Sequence, residues 1–169
     1  MSILIYAESA EGKIKKVALE LASYAKKVAT SMGTTVTAVT INNADNSALA
    51  AYGVDKVLTV TNDKLNNFSA KAYADVIVQA AKKEGTQIVL VSSSTNSLYL
   101  APLVAVALEA GYVSNVVALP ESTSPFQVKR TVFSNKAFNV TEIATPVKVL
   151  GIAKNSFGLV ESSATLAEE

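Results

Sequence analysis

Short apolar runs and helical stripes alternate along the first two thirds of the chain. Residues 3–7 are continuously apolar and then meet polar residues, which is typical of a strand buried on both faces of a parallel sheet. Between residues 13 and 33, apolar positions recur at helical spacing with lysines mostly opposite, which predicts a helix ending at Gly33. The β-branched segments 35–41 and 56–61 predict two further strands.

The same alternation continues to about residue 119. A stripe of alanines, Tyr and Ile after Ser69, the expected cap, predicts a second long helix, and residues 87–91 predict a fourth strand. A polar turn then leads into a helix predicted over residues 98–109, with Pro102 near its start, where a missing N–H costs least. Residues 113–119 predict a fifth strand. This order favours a three-layer α/β fold, a Rossmann-like parallel sheet flanked by helices and similar to that of adenine-nucleotide hydrolases.

The pattern changes after Pro120. Residues 126–132 alternate between apolar and polar, a turn signal follows at residues 134–135, and period two continues over residues 137–143, which together predict an antiparallel hairpin. Residues 147–153 predict a last strand. The sequence therefore predicts one domain over residues 1–160 and a loose tail or linker remnant over residues 161–169.

Composition narrows the classes of partner. The chain has 169 residues, half of them hydrophobic, which suits one compact domain. Its formal net charge of +1 gives no field that would attract nucleic acid or an anionic membrane. No apolar run reaches the roughly eighteen residues of a membrane span, and the first residues lack the basic region of a signal peptide. We expect a soluble, cytoplasmic protein.

The residue types present exclude several kinds of chemistry. The chain has neither Cys nor His, so it lacks thiolate nucleophiles, sulfur-ligated metals and the usual acid and base near neutral pH. Its aspartates are scattered singly, without the spacing of metal ligands. We therefore expect no catalytic constellation and no metal site in this chain.

Two turns are the obvious places for a ligand. The turn after the first strand, residues 8–13, holds one Gly and two carboxylates that would repel phosphate. It therefore lacks the glycine-rich phosphate loop, and we interpret it as an ordinary surface loop. The hydroxyl-rich turn Ser92–Ser97 follows a central strand, where open α/β sheets usually bind ligands. Its side chains serve either local helix capping or contact with a ligand, and Ser94 and Thr95 are the weak candidates for the second role.

Arg130 is the only arginine of the chain, and it lies in the predicted hairpin close to Asn135 and Lys136. A guanidinium can bind a carboxylate or phosphate through a planar fork. These three residues are therefore candidates for contact with a partner, and Arg130 also for contact with a cofactor. The alternative is that Arg130 and Lys136 are ordinary solvated residues of an edge strand.

Five segments, in order along nearly the whole chain, carry a family resemblance. They are Ile3-Leu4-Ile5-Tyr6-Ala7-Glu8 with Gly12-Lys13, Tyr52-Gly53-Val54-Asp55-Lys56-Val57, Leu100-Ala101-Pro102, Lys129-Arg130-Thr131-Val132-Phe133 through Asn135-Lys136-Ala137, and Asn155-Ser156-Phe157-Gly158. Together they resemble the amino-terminal domain of electron transfer flavoprotein alpha subunits. One departure is that Ser97, Leu98 and Tyr99 stand where the family usually has Gly-Arg-Asp.

The resemblance implies a function for the complete protein. Such an alpha subunit pairs with a beta subunit, and the heterodimer carries electrons on FAD from acyl-CoA and related flavoprotein dehydrogenases, as in fatty acid β-oxidation, to a downstream acceptor. Most of the FAD site lies in a second, carboxy-terminal domain, so this domain is expected to supply scaffold and subunit contact and to bind no cofactor alone. The alternatives are a stand-alone nucleotide-binding protein similar to universal stress proteins, and a pure interaction protein.

Overall fold

The structure, a computed structural model, describes residues 2–162 and the backbone of residues 167–168. The strands are β1 (Ser2–Tyr6), β2 (Ser9–Ala10), β3 (Lys13–Ile14), β4 (Thr35–Ile41), β5 (Lys56–Val60), β6 (Ile88–Ser92), β7 (Gly111–Val116), β8 (Ser122–Thr123), β9 (Phe126–Val132), β10 (Ala137–Glu142), β11 (Lys148–Ile152) and β12 (Ala167–Glu168). The helices are α1 (Lys16–Met32), α2 (Ala70–Lys83) and α3 (Thr95–Ala107), with short 3₁₀ turns at Ser47–Leu49 and Asp63–Leu65.

One large sheet organises the domain, in the order β10-β9-β7-β11-β6-β1-β4-β5-β12. The strands from β7 to β12 in this order are parallel, whereas β9 pairs antiparallel with β7, β8 and β10. The predicted three-layer Rossmann-like fold and its added hairpin are confirmed. β11 lies between β7 and β6 and pairs parallel with both of them.

Two apolar layers hold the helices against the sheet. On one face α1 packs on side chains such as Ile3 and Leu150, and on the other face α2 and α3 pack on side chains such as Leu4 and Val149. This alternation explains why β1 and β6 are apolar apart from their terminal residues Ser2 and Ser92, since both of their faces are covered. Tyr24 on α1 is fully buried, and its hydroxyl donates to the carbonyl oxygen of Ala118 at 2.9 Å.

The start of α3 differs from the prediction. The helix begins at Thr95 rather than at residue 98, because Ser94 caps it by accepting a hydrogen bond from the backbone N–H of Ser97 at 3.1 Å. Pro102 therefore lies inside the helix and not near its start. Pro102 has no N–H to donate to the carbonyl of Leu98, four residues earlier in the helix. Both residues are on the exposed side of the helix, so this loss is tolerated.

The turn after β1 forms a small hairpin that the sequence pattern did not predict. β2 and β3 pair antiparallel across Glu11 and Gly12, whose φ angles are 52° and 74°. Positive φ at both central residues is the geometry of a tight two-residue hairpin turn, and Gly12 adopts it without strain. The hairpin brings Lys15 back toward Glu8, where the backbone N–H of Lys15 donates to the Glu8 carbonyl at 2.9 Å.

The end of the chain returns to α1 and to the β5 edge. The backbone N–H of Val160 donates to the Ser23 hydroxyl at 3.0 Å, and Ser162 forms an isolated parallel β-bridge with Tyr52. The backbone of β12 pairs with β5. The predicted tail over residues 161–169 includes residues 163–166 and 169, which lie outside the described part, so the proposed domain boundary stays a prediction.

Candidate functional site

The carboxyl ends of β1 and β6 meet at the centre of the sheet. From β1 the chain continues through α1 to β4 on one side, whereas from β6 it continues through α3 to β7 on the other side. This reversal is the topological switch point, the crevice in which open α/β sheets usually bind ligands. Glu8 follows β1, and the Ser92–Ser97 turn follows β6, so both lie in this crevice.

The Glu8 carboxylate fills the crevice. Its Oε1 atom accepts hydrogen bonds from the hydroxyls of Ser92, Ser94 at 2.6 Å and Ser97 at 3.0 Å. Its Oε2 atom pairs with the Lys15 ammonium group at 3.3 Å. Glu8 is only 3% exposed, so this cluster, which we call the Glu8 cluster, is a buried and internally satisfied polar network.

The electrostatics of Glu8 follow from these contacts. Burial is the largest single effect and raises the pKa of the carboxyl group. The hydrogen bonds from Ser92, Ser94 and Ser97 and the charge of Lys15 act in the opposite direction, and together they hold the Glu8 pKa below its ordinary value. The carboxylate is therefore charged at neutral pH although it is buried.

The occupied crevice limits which ligand it can take. The serine hydroxyls that would donate to a phosphate group already donate to Glu8. The negative charge of the buried carboxylate would also repel an incoming pyrophosphate, and this repulsion is stronger where the local dielectric constant is lower. The hydroxyls of Ser92, Ser94 and Ser97 are therefore not free to donate to a pyrophosphate group.

The predicted site residues do not come together. Ser94 belongs to the Glu8 cluster, where it both caps α3 and donates to the carboxylate. Thr95, the next residue, is exposed at the first position of α3 and lies outside the cluster. The turn therefore divides by residue. The hydroxyls of Ser92, Ser94 and Ser97 donate to Glu8, whereas the Ser93 hydroxyl is buried and has no hydrogen-bond partner among the described residues. Thr95 is exposed to solvent.

Arg130 lies on β9, away from the Glu8 cluster. Its Nη2 group donates to the hydroxyl of Ser114 at 3.3 Å. Its Nε–H is buried and meets no acceptor, and no carboxylate pairs with this guanidinium among residues 2–162. A buried donor without an acceptor is costly, so Arg130 has unused capacity for an anionic or carbonyl group.

The other two predicted contact residues lie at the tip of the β9–β10 hairpin. Asn135 adopts a φ of 65° in the turn, and Lys136 beside it is exposed. Phe133 on the same turn is 80% exposed, and Phe138 on β10 is also exposed. The tip therefore exposes two aromatic side chains, a residue type that is enriched at protein interfaces.

A second exposed apolar surface covers the outer side of α3. The helix and the next residue contain no charged side chain, and both faces of the helix are apolar. Leu98, Tyr99, Leu103 and Val106 are all exposed, with Val106 at 79%. Exposed apolar patches of this kind mark contact surfaces in soluble proteins, because the exposure of apolar area to water is unfavourable.

Sequence reasoning missed Glu8 as the centre of the cluster. Residues 8–13 were interpreted as a surface loop whose carboxylates would repel phosphate. The available signal was a carboxylate directly after a buried strand together with a serine-rich turn after another buried strand. Only the adjacency of β1 and β6 identifies these two segments as partners.

Two other features, a metal site and a membrane-spanning helix, are absent from the described part of the chain. Within residues 2–162 the structure has no group of three or more acidic side chains placed to hold a metal ion. In that part of the chain, no helix has the length and apolarity needed to cross a membrane.

The fold and the filled switch point define a Rossmann-like α/β domain whose central crevice holds its own carboxylate. The family model described as the electron transfer flavoprotein domain matches residues 3–169. The chain belongs to the electron transfer flavoprotein family, and the resemblance to the amino-terminal domain of its alpha subunits is confirmed.

The similar proteins include two clostridial-type alpha subunits. The electron transfer flavoprotein subunit alpha of Thermoanaerobacterium thermosaccharolyticum is 33% identical over 120 residues, and that of Clostridium acetobutylicum is 30% identical over 120 residues; each alignment covers 69% of this chain. The lactate dehydrogenase (NAD(+),ferredoxin) subunit LctC of Acetobacterium woodii is 30% identical over 150 residues, or 85% of this chain. The matches cover 36% of the length of each of these three relatives.

Proposed function

We propose that this chain is the scaffold and subunit-contact domain of an electron transfer flavoprotein alpha subunit. In the complete heterodimer with a beta subunit, electrons travel on FAD from flavoprotein dehydrogenases to a downstream acceptor. The chain itself is an electron-carrier domain and not an enzyme, and it works in the cytoplasm. The observation that carries this proposal is the combination of a self-filled switch point with exposed apolar surfaces elsewhere.

The filled crevice argues for a scaffold role. A domain that held the redox cofactor by itself would need free donors for its phosphate groups, and at the switch point the hydroxyls of Ser92, Ser94 and Ser97 already donate to Glu8. This geometry also argues against the alternative of a stand-alone nucleotide-binding protein. We therefore assign the FAD of the heterodimer to other parts of the complex.

The hairpin tip argues for a subunit contact. Phe133 and Phe138 are exposed beside Lys136, and Arg130 at the base of the hairpin has an unused buried donor. Buried aromatic and arginine anchors dominate protein interfaces. A carboxylate or carbonyl of the partner would accept the hydrogen bond that the Arg130 guanidinium does not make within this chain. We propose that the beta subunit covers this hairpin.

The relatives indicate only the class of protein that donates electrons. The family resemblance suggests acyl-CoA dehydrogenases and fatty acid β-oxidation. One relative is named as a subunit of a lactate dehydrogenase that uses NAD(+) and ferredoxin. We propose a flavoprotein dehydrogenase as the donor, with an acyl-CoA dehydrogenase as the first to be assayed and a lactate dehydrogenase as the second.

The contact is tested by co-expressing the chain with the beta subunit of the same organism and measuring their dissociation constant. We expect a stable complex that Phe133→Ser and Arg130→Lys each weaken at least tenfold, since the first removes an aromatic anchor and the second removes the planar fork. Lys82→Ala, an exposed change at the end of α2, is the matched control and should leave the affinity unchanged. Failure to form a complex, or hairpin variants with unchanged affinity, would contradict the proposal.

The scaffold role is tested by the visible spectrum of the purified chain after incubation with FAD and removal of free cofactor. We expect no flavin band, because three serine hydroxyls of the switch point already donate to Glu8. A stoichiometric band would mean that this domain binds FAD by itself, and Ser94, Thr95 and Arg130 would then be the first residues to substitute.

A further inference from the structure

The strand β10 forms one edge of the large sheet. It pairs with β9 on its inner side, and among the described residues no strand pairs with its outer side. Four of its six residues are exposed, among them Phe138 at 64% and Val140 at 47%. Soluble proteins usually protect such an edge with Lys, Pro or a bulge. β10 contains neither Lys nor Pro, and its register with β9 is uninterrupted, so its edge is open to another strand.

The unpaired backbone groups of β10 belong to alternate residues. The backbone N–H of Ile143, just after β10, donates to the carbonyl oxygen of Phe126 on β9 at 2.9 Å. In an antiparallel pair every second residue exchanges hydrogen bonds with the neighbouring strand, so the odd-numbered residues of β10 direct their N–H and C=O groups to β9, as Ile143 does. The even-numbered residues, Phe138, Val140 and Glu142, direct theirs to the free edge. These groups are the ones that a further strand would bind.

The segment from Lys136 to Glu142 is complementary to itself when a second copy runs antiparallel to it. If Asn139 lies opposite Asn139 of the second copy, Phe138 lies opposite Val140. In the same register Lys136 lies opposite Glu142. An aromatic side chain opposite a β-branched one, and a cation opposite a carboxylate, are cross-strand pairs that stabilise a sheet. Two-fold symmetry produces each of these pairs twice.

The charges at the two ends of the segment select this register. A two-fold axis perpendicular to the sheet keeps every side chain on its own face, so only residues that share a face can lie opposite each other. A centre at Val140 would place Phe138 opposite the Glu142 carboxylate, and a centre at Phe138 would place Lys136 opposite Val140. Neither Lys136 nor Glu142 forms an ion pair within residues 2–162, so both are available to the second copy.

We propose that two copies of this chain associate through β10 and join their sheets across a two-fold axis at Asn139. Phe138 and Val140 of one copy exchange backbone hydrogen bonds with Val140 and Phe138 of the other. The Lys129 ammonium group, 4.6 Å from the centre of the Phe138 ring, lies beside this apolar pair. One strand pair is a small interface, so the dimer is weak, with a dissociation constant in the micromolar range.

The self-association does not rest on the proposed subunit contact. It uses the outer edge of β10, whereas the proposed contact with the beta subunit uses Phe133 at the hairpin tip and Arg130 on β9. Because both contacts involve one hairpin, the beta subunit and the second copy compete for it. The dimer is therefore a state of the chain without its beta subunit.

The proposal is tested first on the purified chain alone, over concentrations from micromolar to millimolar. Sedimentation velocity should show a monomer that converts to a dimer as the concentration rises. Hydrogen–deuterium exchange at the backbone amides of Phe138 and Val140 should slow in the dimer, because these N–H groups gain acceptors. A monomer at every concentration, or a dimer in which these two amides gain no protection, would overturn the proposal.

Charge reversal tests the register. Glu142→Lys places lysines opposite each other at both ends of the strand pair and should raise the dissociation constant of the dimer about tenfold. Lys136→Glu should have the same effect through opposed carboxylates. The double variant Lys136→Glu/Glu142→Lys should restore the original affinity, and so should an equal mixture of the two single variants. In both cases every cation again lies opposite a carboxylate.

Further variants separate this contact from others. Glu121→Lys makes the same change of charge at an exposed residue outside β10 and should leave the dimer unchanged. Phe133→Ser lies beyond the paired segment, so it should weaken the complex with the beta subunit and not the dimer. Val140→Lys puts a lysine on the edge strand and should abolish dimerisation. If Val140→Lys dimerises as before, or if the double charge reversal does not restore the dimer, the copies meet elsewhere and the proposal is refuted.

Discussion

Replacing Glu8 with Ala tests whether the Glu8 cluster stabilises the domain. The substitution removes the acceptor of the Ser92, Ser94 and Ser97 hydroxyls. Ser94 and Ser97 keep a hydrogen bond to each other at 3.1 Å, so Ser92 suffers most. Buried hydroxyls without an acceptor cost free energy, because they exchanged water for Glu8 when the chain folded.

The expected size follows from these contacts. Hydrogen bonds to a charged group contribute about 1.5–3 kcal/mol each, whereas burying a carboxylate costs several kcal/mol that the Ala variant recovers. We expect a net loss of about 3–5 kcal/mol in the free energy of unfolding, because the three lost hydrogen bonds together exceed the desolvation cost that the variant recovers. With a denaturant dependence of about 2 kcal/mol per molar urea, the unfolding midpoint falls by roughly 1.5–2.5 M.

The assay is urea unfolding followed by far-ultraviolet circular dichroism at pH 7. Glu11→Ala is the matched control, since Glu11 is an exposed carboxylate on the same small hairpin, and we expect a change within about 0.5 kcal/mol. Glu8→Gln keeps an acceptor oxygen and loses the charge, so its loss should be about 1–2 kcal/mol. The reasoning is refuted if Glu8→Ala costs less than about 1 kcal/mol, or if Glu8→Ala and Ser92→Ala are additive when combined.

The remaining predictions concern pH and packing. Because the folded-state pKa of Glu8 is lowered, its contribution is complete above the ordinary value of 4.5 and is lost as pH falls through the folded-state pKa, so urea midpoints of the unmodified chain and Glu8→Gln should converge in acid. Gly53→Ala would put a Cβ 2.5 Å from the Lys26 side chain at a φ of 90°, and calorimetry should give a loss of about 1–3 kcal/mol. Gly12→Ala, with positive φ but free space, should cost less; equal losses would contradict the clash. Tyr24→Phe should cost about 1 kcal/mol in urea unfolding by removing its buried hydroxyl donor, and an unchanged midpoint would count against that bond.

Much of the fold was predictable because its signals are local. The strand at Thr35–Ile41 was predicted at the observed bounds, and the strands β1, β5 and β6 were predicted to within one residue at each end. Continuous burial on both sheet faces produces an uninterrupted apolar run, which needs no knowledge of the neighbouring strands. Helix boundaries were less accurate, because a side-chain cap such as Ser94 depends on the geometry of a single turn.

The candidate site was predictable in part. The serine-rich turn could be recognised as a polar segment after a buried strand, and the lack of His and Cys excluded catalytic triads from the composition alone. The partner of the serines could not be recognised, because Glu8 and Ser97 are 89 residues apart and meet only when β1 and β6 pair.

The sequence by itself determined the alternation of strands and helices, the antiparallel hairpin and the absence of thiol and imidazole chemistry. Each of these depends on residue type or on spacing within one segment. Only the tertiary structure decided that β11 lies between β6 and β7 and that Glu8 fills the switch point. These features depend on distances between segments far apart in the chain, and such distances are set by strand pairing, which local periodicity does not specify.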